Sequence, residues 1–165
     1  MPGKHYNQLT RESVSAPLLS WDIFMDGYWR KIGLINDKQE LNGIAGKNNW
    51  QQKFDLDTML LRNGKVIIVT DPFLQIVFAS SNMSAMNGYT APEVLNKSPK
   101  IFQGKESDVN TITEIRRAVN EKKQFHASLI NYKKNGNLYH CDIEGYPVFN
   151  KAGELVNFIA FEEST

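Results

Sequence analysis

Cysteine is almost absent from this 165-residue sequence. The single thiol, Cys141, excludes an intramolecular disulfide and a zinc site built from several thiolates. The sequence also lacks an apolar run long enough to cross a bilayer, and residues 1–12 are polar where a secretion signal would be apolar. We therefore expect a cytoplasmic protein in a reducing compartment, without a membrane partner.

Neither sign of charge is in excess. Nineteen Lys and Arg residues stand against eighteen Asp and Glu residues, which gives a net charge of +1. This balance gives no electrostatic reason to expect nucleic acid as a partner. Gly-rich phosphate loops, HExxH, nucleophile elbows and CxxC motifs are also missing, so we expect no enzymatic activity.

Residues of the types that commonly bind metal ions occur on two strands that are predicted to be neighbours. His140, Asp142 and Glu144 alternate along one strand, and His126 projects from the same face of the other. Such residues could hold a divalent metal. Alternating polar residues are also typical of a solvated sheet face, which is the interpretation we favour. We therefore predict no metal site.

The composition is that of an ordinary globular domain, with 41% hydrophobic and 22% charged residues. We divide the chain into three segments. Residues 1–17 are polar and contain two prolines, which predicts a mobile segment. Residues 18–63 are predicted to form a helical extension, and residues 64–165 a folded α+β domain.

The helical extension is predicted to contain two helices. The first should begin near Ser15 or Ser20 and end near Gly33. A Gly- and Asn-rich loop is predicted over 42–49, and a second helix over 50–61. The apolar stripe of the first helix recurs at helical spacing and comprises Trp21, Phe24, Met25, Tyr28, Ile32 and Ile35.

From Lys65 onward the hydrophobic period changes to two, which predicts strands. Turns are expected at Asn135-Gly136 and Lys151-Ala152-Gly153. The predicted strands cover 66–70, 74–79, 124–133, 138–149 and 154–163. Because helices lie between the second and third strands, we expect a five-stranded antiparallel sheet with short helices on one face.

Three helices are predicted between the second and third strands, at 82–87, 91–95 and 107–119. Ser107 is the predicted N-cap of the longest. The predicted buried stripe of this helix comprises Val109, Ile112, Ile115 and Val119.

Alternation along the late strands predicts one mainly apolar face that ends in polar groups. The residues predicted to share it are Phe125, Ala127, Leu129, Asn131, Tyr139, Cys141, Ile143, Gly145, Phe158, Ala160 and Glu162. With Gln103, the polar members Asn131 and Glu162 would converge on a small-molecule pocket. Side chains that fill the space are the open alternative. A desolvated Glu162 should have a raised pKa and could respond to pH.

Short motifs in this part of the chain resemble the PAS domain family and, from Asp71 onward, its light-oxygen-voltage (LOV) branch. The resemblance covers about the last hundred residues. It rests on Ile68-Val69-Thr70-Asp71-Pro72, Phe78-Ala79-Ser80, Gly88-Tyr89-Thr90, Glu93-Val94-Leu95, Gly104 to Asp108, Ile115 to Val119, Asn131 to Lys134 and Phe158-Ile159-Ala160. It implies the PAS fold.

The LOV resemblance implies a flavin photosensor, but the site carries over only in part. Gln103 and Asn131 match the LOV pattern, whereas Pro99 occupies the position of the reactive cysteine. Proline cannot form a covalent adduct. We therefore expect no cysteinyl-flavin photochemistry, and Cys141 is expected to be a buried, inert thiol.

The phosphate and ring contacts implied by the resemblance are also altered. Ser98 replaces an asparagine, Lys100 an arginine, Thr113 a second arginine, Cys141 a second asparagine and Glu162 a glutamine. Lysine loses the bidentate fork of arginine, and threonine loses the charge. These exchanges disfavour flavin without removing it as an alternative. The candidate pocket residues are Ile68, Ser98, Lys100, Gln103, Leu129, Asn131, Cys141, Phe158, Ala160 and Glu162.

Together these features predict a stand-alone PAS sensory or regulatory module in signal transduction. It would sense a small, unidentified ligand or act on a signalling protein through surface contacts. The alternatives are a ligand-free interaction domain and a cysteine-less flavin sensor. Trp21, Phe24, Tyr28 and Ile32 would either cover the sheet or form a homodimer contact, as flanking helices do in similar PAS proteins.

Overall fold

The structure is a computed structural model that describes residues 16–165. Five strands form one antiparallel sheet in the order β2-β1-β5-β4-β3. They are β1 Val66–Thr70, β2 Ile76–Ala79, β3 Phe125–Tyr132, β4 Leu138–Phe149 and β5 Leu155–Ser164. The predicted α+β class and five-stranded antiparallel sheet are confirmed. Gly136 and Gly153 adopt positive φ angles of 86° and 83° in the two predicted turns.

The helices lie before β1 and between β2 and β3. They are α1 Ala16–Lys47, a π-helix Asp57–Arg62, α2 Met83–Asn87, α3 Ala91–Val94, a 3₁₀ helix Pro99–Phe102 and α4 Val109–Asn120. Within residues 16–165, none of the helices is both long and apolar enough to span a membrane. The segment predicted to be mobile, 1–17, lies outside the described residues except for its last two, which begin α1.

The predicted end of the first helix is wrong, because α1 continues through Gly33 and through the predicted loop at 42–49. Gly33 serves a close approach instead: a Cβ built there would lie 3.0 Å from the Ser81 Oγ. Beyond it, Leu41 is fully buried and Ile44 packs against the same apolar cluster. Burial of this face stabilises the helix despite its glycines, since tertiary packing supplies most helical stability in proteins.

The predicted helix over 50–61 is also largely wrong. Trp50 forms a β-bridge with Asn150, and its indole Nε1 donates to the Asn157 Oδ1 at 2.9 Å. These contacts hold the segment in an extended conformation against the sheet, and only the π-helix Asp57–Arg62 forms later. The hydrogen bond between the Trp50 and Asn157 side chains, which are distant in sequence, thus favours an extended segment over a helix here.

The sheet separates two apolar clusters. On its outer face, α1 and the segment that follows it supply Leu41, Trp50, Leu56 and Leu60. These pack on sheet residues Ile67, Val69, Phe78, Val148, Ile159 and Phe161. On the inner face, Val66, Ile68, Ile76 and Ala79 pack against Met83, Val94 and Phe102 from the short helices. The candidate pocket residue Ile68 therefore lies on the inner face.

The start of α4 differs from the prediction. Asp108, not Ser107, is the N-cap, and its Oδ2 accepts a hydrogen bond from the Thr111 N–H at 2.7 Å. The Ser107 hydroxyl instead donates to the Ile130 carbonyl at 2.6 Å, which fastens this loop to β3. Val109 is 72% exposed, so it is not part of the buried stripe. The helix face that turns inward begins at Ile112.

Candidate functional site

A cavity of about 170 Å³ lies between the inner face of the sheet and the segment that runs from the 3₁₀ helix to α4. The sheet contributes Ile68, Thr70, Phe125, Leu129, Asn131, Ile143, Gly145, Phe158, Ala160 and Glu162. The opposite wall includes Ser98, Pro99, Lys100, Phe102, Gln103, Ile112, Ile115, Arg116 and Val119. Most of this lining is apolar, and its polar groups are few.

Nine of the ten candidate pocket residues line this one cavity. The exception is Cys141, which is fully buried on β4. Its Sγ lies 3.7 Å from the Glu162 Oε2, to which it donates a weak hydrogen bond. Pro99, at the position that the LOV resemblance assigns to the reactive thiol, also lines the cavity. The wall that would carry the nucleophile therefore presents a pyrrolidine ring.

Glu162 is the buried titratable group of the cavity. Burial raises the pKa of its carboxyl to about 7, and the Cys141 thiol opposes that rise only in part. No cation pairs with this carboxylate anywhere in residues 16–165. A carboxyl that holds its proton can donate as well as accept a hydrogen bond.

A buried polar cluster continues from Glu162 along the inner face. Burial, together with the neighbouring Cys141 and Glu162, raises the pKa of the Tyr139 hydroxyl. The amides of Asn87 and Asn131 lie near enough to offset this rise in part, although neither meets hydrogen-bond geometry with the hydroxyl. Burial and the Glu162 carboxylate likewise raise the pKa of Cys141, so its thiol stays protonated. A thiol that is buried and protonated is chemically inert, as we expect for Cys141.

Two polar atoms in the cavity wall have no hydrogen-bond partner. They are the Asn131 Oδ1 and the Thr70 Oγ1, and both side chains are buried. Buried polar atoms are paired in the great majority of cases, because a buried unpaired group is costly. Thr70 pairs with Phe158, which pairs with Pro147 near one end of β4, whereas Asn131 pairs with Tyr139 near the other end of β4. The two unpaired atoms therefore mark different ends of the cavity.

Phe125 narrows the cavity by lying over Gly145. A Cβ built at Gly145 would lie 2.2 Å from the Phe125 Cε1, so only glycine fits beneath the ring. The two residues are directly paired between β3 and β4. The space above Gly145 is therefore occupied by an aromatic ring and is not open.

Two cations lie at the cavity wall opposite the sheet. They are Lys100 and Arg116, and neither forms an ion pair with a carboxylate within the described part of the chain. The resemblance had assigned the second cationic position to Thr113. That residue lies outside the cavity, and its hydroxyl donates to the Val109 carbonyl at 2.8 Å. Arg116 instead shares the inward face of α4 with Ile112 and Ile115, so the positive charge is retained.

Sequence reasoning missed Thr70 and Arg116 as neighbours of the candidate pocket residues, and it placed Phe125 on the shared face without predicting where its ring would pack. Helical spacing could have identified Arg116, since Ile112, Arg116 and Val119 recur at steps of four and three. The alternation of β1 could have identified Thr70, two residues after Ile68. The packing of Phe125 on Gly145 leaves no such pattern in the sequence.

The polar residues on the outer face of β3 and β4 are not grouped as a set of three metal ligands would be. His126 and His140 are exposed, whereas Glu144 accepts a hydrogen bond from the Lys65 Nζ at 2.6 Å. Across residues 16–165, no group of three His, Cys, Asp or Glu side chains could hold a metal ion.

Comparison with a family model agrees with the fold. The model described as PAS domain matches residues 64–164. The chain therefore belongs to the PAS domain family. The LOV-type motifs noted in the sequence are consistent with its relatives.

Among curated proteins, Protein TWIN LOV 1 of Arabidopsis thaliana is 39% identical over 98 residues, which cover 57% of this chain and 25% of the relative. Phototropin-2 of Oryza sativa subsp. japonica is 36% identical over 119 residues, 68% of this chain and 13% of the relative. The nitrogen fixation regulatory protein of Klebsiella oxytoca is 25% identical over 131 residues, 79% of this chain and 26% of the relative. The chain thus spans about a quarter or less of these relatives.

Solved structures share the fold. A light-oxygen-voltage domain studied with a flavin analogue has a TM-score of 0.63 at 22% identity, with 68% of this chain and 86% of that chain covered. The light-state LOV structure of the blue-light photoreceptor Aureochrome1 has a TM-score of 0.60 at 23% identity, with 64% and 85% covered. At such identities the likeness concerns the fold alone.

Proposed function

We propose that this chain is a sensory or regulatory PAS module in signal transduction, whose inner-face cavity binds a small molecule. The observation that carries the proposal is the cavity itself. Its lining is mainly apolar, yet it contains buried, unpartnered atoms on Asn131 and Thr70 and a buried carboxyl on Glu162. An apolar cavity with a few convergent polar groups is typical of small-molecule sites.

Occupancy of the cavity would be transmitted through the sheet to α1. Thr70 lines the cavity with its side chain, while its backbone carbonyl accepts a hydrogen bond from the Asn157 Nδ2 at 2.9 Å. The Asn157 Oδ1 in turn accepts from the Asn48 Nδ2 at 2.8 Å and from the Trp50 Nε1 at 2.9 Å. A shift of β1 would therefore act on the residues that follow α1. A ligand that binds one packing better than another would favour that packing.

Covalent flavin chemistry has no place in this proposal. Pro99 has no thiol, and the sulfur of Cys141 is buried outside the cavity lining. Its raised pKa removes the thiolate that a nucleophilic role requires.

Flavin without a covalent adduct is the second candidate, and one observation favours it. Lys100 and Arg116 lie free at the cavity and could pair with a phosphate. The ring site fits poorly, however. The cavity holds about 170 Å³, whereas pockets for drug-sized ligands measure roughly 300–1,000 Å³. Phe125 would have to leave its position over Gly145 to admit a tricyclic ring.

A protein-interaction domain is the third candidate, and the exposed aromatic residues of α1 favour it. Trp21 and Phe24 are 61% and 62% exposed, and their rings stack with centroids 5.8 Å apart. Tyr28 lies one turn further along on the same face and is also exposed. We propose that this stripe, with the half-buried Ile32 at its end, is a homodimer contact or meets a signalling partner.

Absorption spectroscopy and mass analysis of the material released by boiling separate the three candidates. We expect protein purified from cells to show no flavin or haem bands and to release a small molecule in near-stoichiometric amount. Flavin bands would favour the second candidate. Protein that releases nothing and binds no added small molecule would overturn the ligand proposal and favour the interaction domain.

A further inference from the structure

The sequence contains four Asn-Gly dipeptides, and none of them lines the inner-face cavity. They are Asn42-Gly43, Asn63-Gly64, Asn87-Gly88 and Asn135-Gly136. Asparagine followed by glycine is the pair most prone to lose its side-chain amide, because no Cβ shields the glycine nitrogen from the asparagine side-chain carbonyl carbon. The reaction requires that this nitrogen be unbonded and that the backbone rotate. The fold therefore determines which of the four pairs reacts.

Two of the four pairs are held by helices. Gly43 lies within α1, where its N–H is bonded to the helix backbone. The Gly88 N–H donates to the Ser84 carbonyl at 3.0 Å, and the side chain of Asn87 is fully buried. Neither glycine nitrogen can attack unless its helix first opens.

The Asn135-Gly136 pair lies in the exposed turn between β3 and β4, but it is held as well. The Gly136 N–H donates to the Lys133 carbonyl at 2.8 Å, and the Asn135 Oδ1 accepts from the Asn137 N–H at 3.0 Å. Both bonds must break before the nitrogen can reach the side chain, so they slow the reaction. This pair is as exposed as the fourth pair and differs from it in its hydrogen bonds.

The Asn63-Gly64 pair lacks such protection. Both residues are exposed, between the end of the π-helix Asp57–Arg62 and the start of β1. Within residues 16–165, neither the Gly64 N–H nor the Asn63 side chain forms a hydrogen bond. No atom of the described chain beyond the adjacent residues lies within 4 Å of a Cβ built at Gly64. The Gly64 nitrogen is therefore available, and there is room for a five-membered ring.

We propose that Asn63 is a site of spontaneous deamidation in the folded protein. The Gly64 nitrogen bonds to the Asn63 side-chain carbonyl carbon, the bond from that carbon to the amide nitrogen breaks, and ammonia leaves with the N–H proton. Water then opens the succinimide ring at either of its carbonyls. The products are aspartate and isoaspartate, each of which carries a new negative charge. This site is independent of whether the cavity binds a ligand.

The position of Asn63 gives the reaction a structural consequence. In isoaspartate the main chain runs through the former side chain and is longer by a methylene group. Two hydrogen bonds bracket the lengthened stretch: the Asn63 N–H donates to the Thr58 carbonyl at 2.9 Å, and the Lys65 N–H donates to the Met59 carbonyl at 2.9 Å. Both bonds join the π-helix to the start of β1. We expect isoaspartate to weaken this connection.

Ageing of the full folded chain at mildly alkaline pH compares the four rates. Peptide mapping with chymotrypsin and tandem mass spectrometry follows the mass gain at each asparagine. We expect Asn63 to react about tenfold faster than Asn135, the exposed control, because only the Asn135 pair must first open hydrogen bonds. Asn42 and Asn87 should be slower still. In urea-unfolded chain the four rates should lie within about threefold of one another, since no fold distinguishes them.

Two variants separate the added charge from the longer main chain. Asn63→Gln does not form the five-membered ring, and Asn63→Asp carries the charge on a main chain of ordinary length. Hydrogen exchange of the Lys65 amide is the measurement. It should be about tenfold faster in aged, unaltered protein than in fresh protein, because the bond to Met59 is weakened. Aged Asn63→Gln and fresh Asn63→Asp should exchange at the rate of fresh protein.

Several outcomes would overturn the inference. Equal rates at Asn63 and Asn135 in the folded chain, or a faster rate at Asn135, would show that the missing hydrogen bonds do not select the site. A tenfold ratio that persists in urea would show that the sequence, not the fold, selects it. Unchanged exchange of Lys65 in protein whose Asn63 has been converted would remove the structural consequence. None of these results bears on ligand binding, so the proposed function is tested separately.

Discussion

At the scale of single residues, Glu162 should make the stability of the protein depend on pH. Its pKa is about 7 in the folded chain against an ordinary value of 4.5. Between these values the folded chain holds a proton that the unfolded chain releases, so the free energy of unfolding should fall as pH rises from 4.5 to 7. The fall should reach roughly 3 kcal/mol, since one pKa unit corresponds to about 1.4 kcal/mol.

Urea unfolding of the unaltered protein and of Glu162→Gln, measured from pH 4.5 to 8, tests this prediction. In Glu162→Gln the free energy of unfolding should lose most of its dependence on pH, because an amide does not titrate. Glu114→Gln is the matched control, since Glu114 is exposed on α4 and should leave the slope unchanged. A ¹³C NMR titration of the side-chain carboxyl gives the midpoint directly. A midpoint near the ordinary value would contradict the burial argument.

Gly145 and Phe125 should be coupled in stability. Gly145→Ala places a methyl group 2.2 Å from the Phe125 ring, and such overpacking costs about 1–3 kcal/mol. Phe125→Ala alone should also destabilise, because it enlarges the cavity. In the double variant the alanine methyl at 145 meets no ring. The free energy of unfolding lost in the double variant should therefore be smaller than the sum of the losses in the two single variants. Chemical unfolding of all four proteins measures this coupling, and strict additivity would show that the ring moves away freely.

At the scale of elements, Asn157 joins the segment after α1 to the sheet. Its side chain accepts from Asn48 and Trp50 and donates to the Thr70 carbonyl. Asn157→Ala leaves the buried Trp50 N–H and the Thr70 carbonyl unpaired, so we expect it to lower the free energy of unfolding by about 2–4 kcal/mol. The amides of residues 48–56 should also exchange faster with solvent, because this side chain holds the extended segment in place.

Asn137→Ala provides the control for Asn157. Asn137 is exposed in the turn between β3 and β4, and its side chain makes no contact of this kind. It should change the free energy of unfolding by less than about 0.5 kcal/mol. A similarly small effect of Asn157→Ala, measured by hydrogen exchange and urea unfolding, would exclude Asn157 as the link between cavity and α1.

The elements that could be predicted from the sequence are those whose pattern is set by a local period. All five strands were predicted, with β1 and β4 matching the observed bounds Val66–Thr70 and Leu138–Phe149, because alternation and turn glycines are local signals. The N-terminal helix was also predicted, but the position of its end was not, because distant contacts determine it. Gly33 approaches Ser81, and Trp50 is bound to Asn157, a residue 107 positions away. No window of the sequence contains both partners of such contacts.

The same distinction applies to the cavity. Alternation along β3 and β5 placed Leu129, Asn131, Phe158, Ala160 and Glu162 on one face, where they now line a single space. Their role as ligand contacts remains a prediction. The alternation of residues could not predict the volume of the cavity, because that volume depends on how the Phe125 ring packs over Gly145.

At the scale of the whole molecule, the sheet is a single layer between the cavity and the cover formed by α1. Along β5, Phe158, Ala160 and Glu162 face the cavity, while Ile159 and Phe161 between them belong to the outer cluster. A displacement of β5 by a bound molecule would therefore act directly on the outer cluster. The N-terminal half of α1 extends past this cluster with its aromatic side chains exposed. A change in how α1 packs on the sheet would thus alter the position of these exposed aromatic side chains.

The exposed stripe of Trp21, Phe24 and Tyr28 leads to the last prediction, which concerns self-association. We expect the protein to be a dimer by multi-angle light scattering at micromolar concentrations, because stacked, solvent-exposed aromatic residues gain free energy when a second copy covers them. Trp21→Ala and Phe24→Ala should each weaken the dimer about tenfold or more, since tryptophan and other large aromatics contribute strongly to such contacts. Phe73→Ala is the control, because Phe73 is 83% exposed in the turn between β1 and β2 and is not part of the stripe. A monomer at every concentration, or equal weakening by the control, would show that this helix does not join two copies.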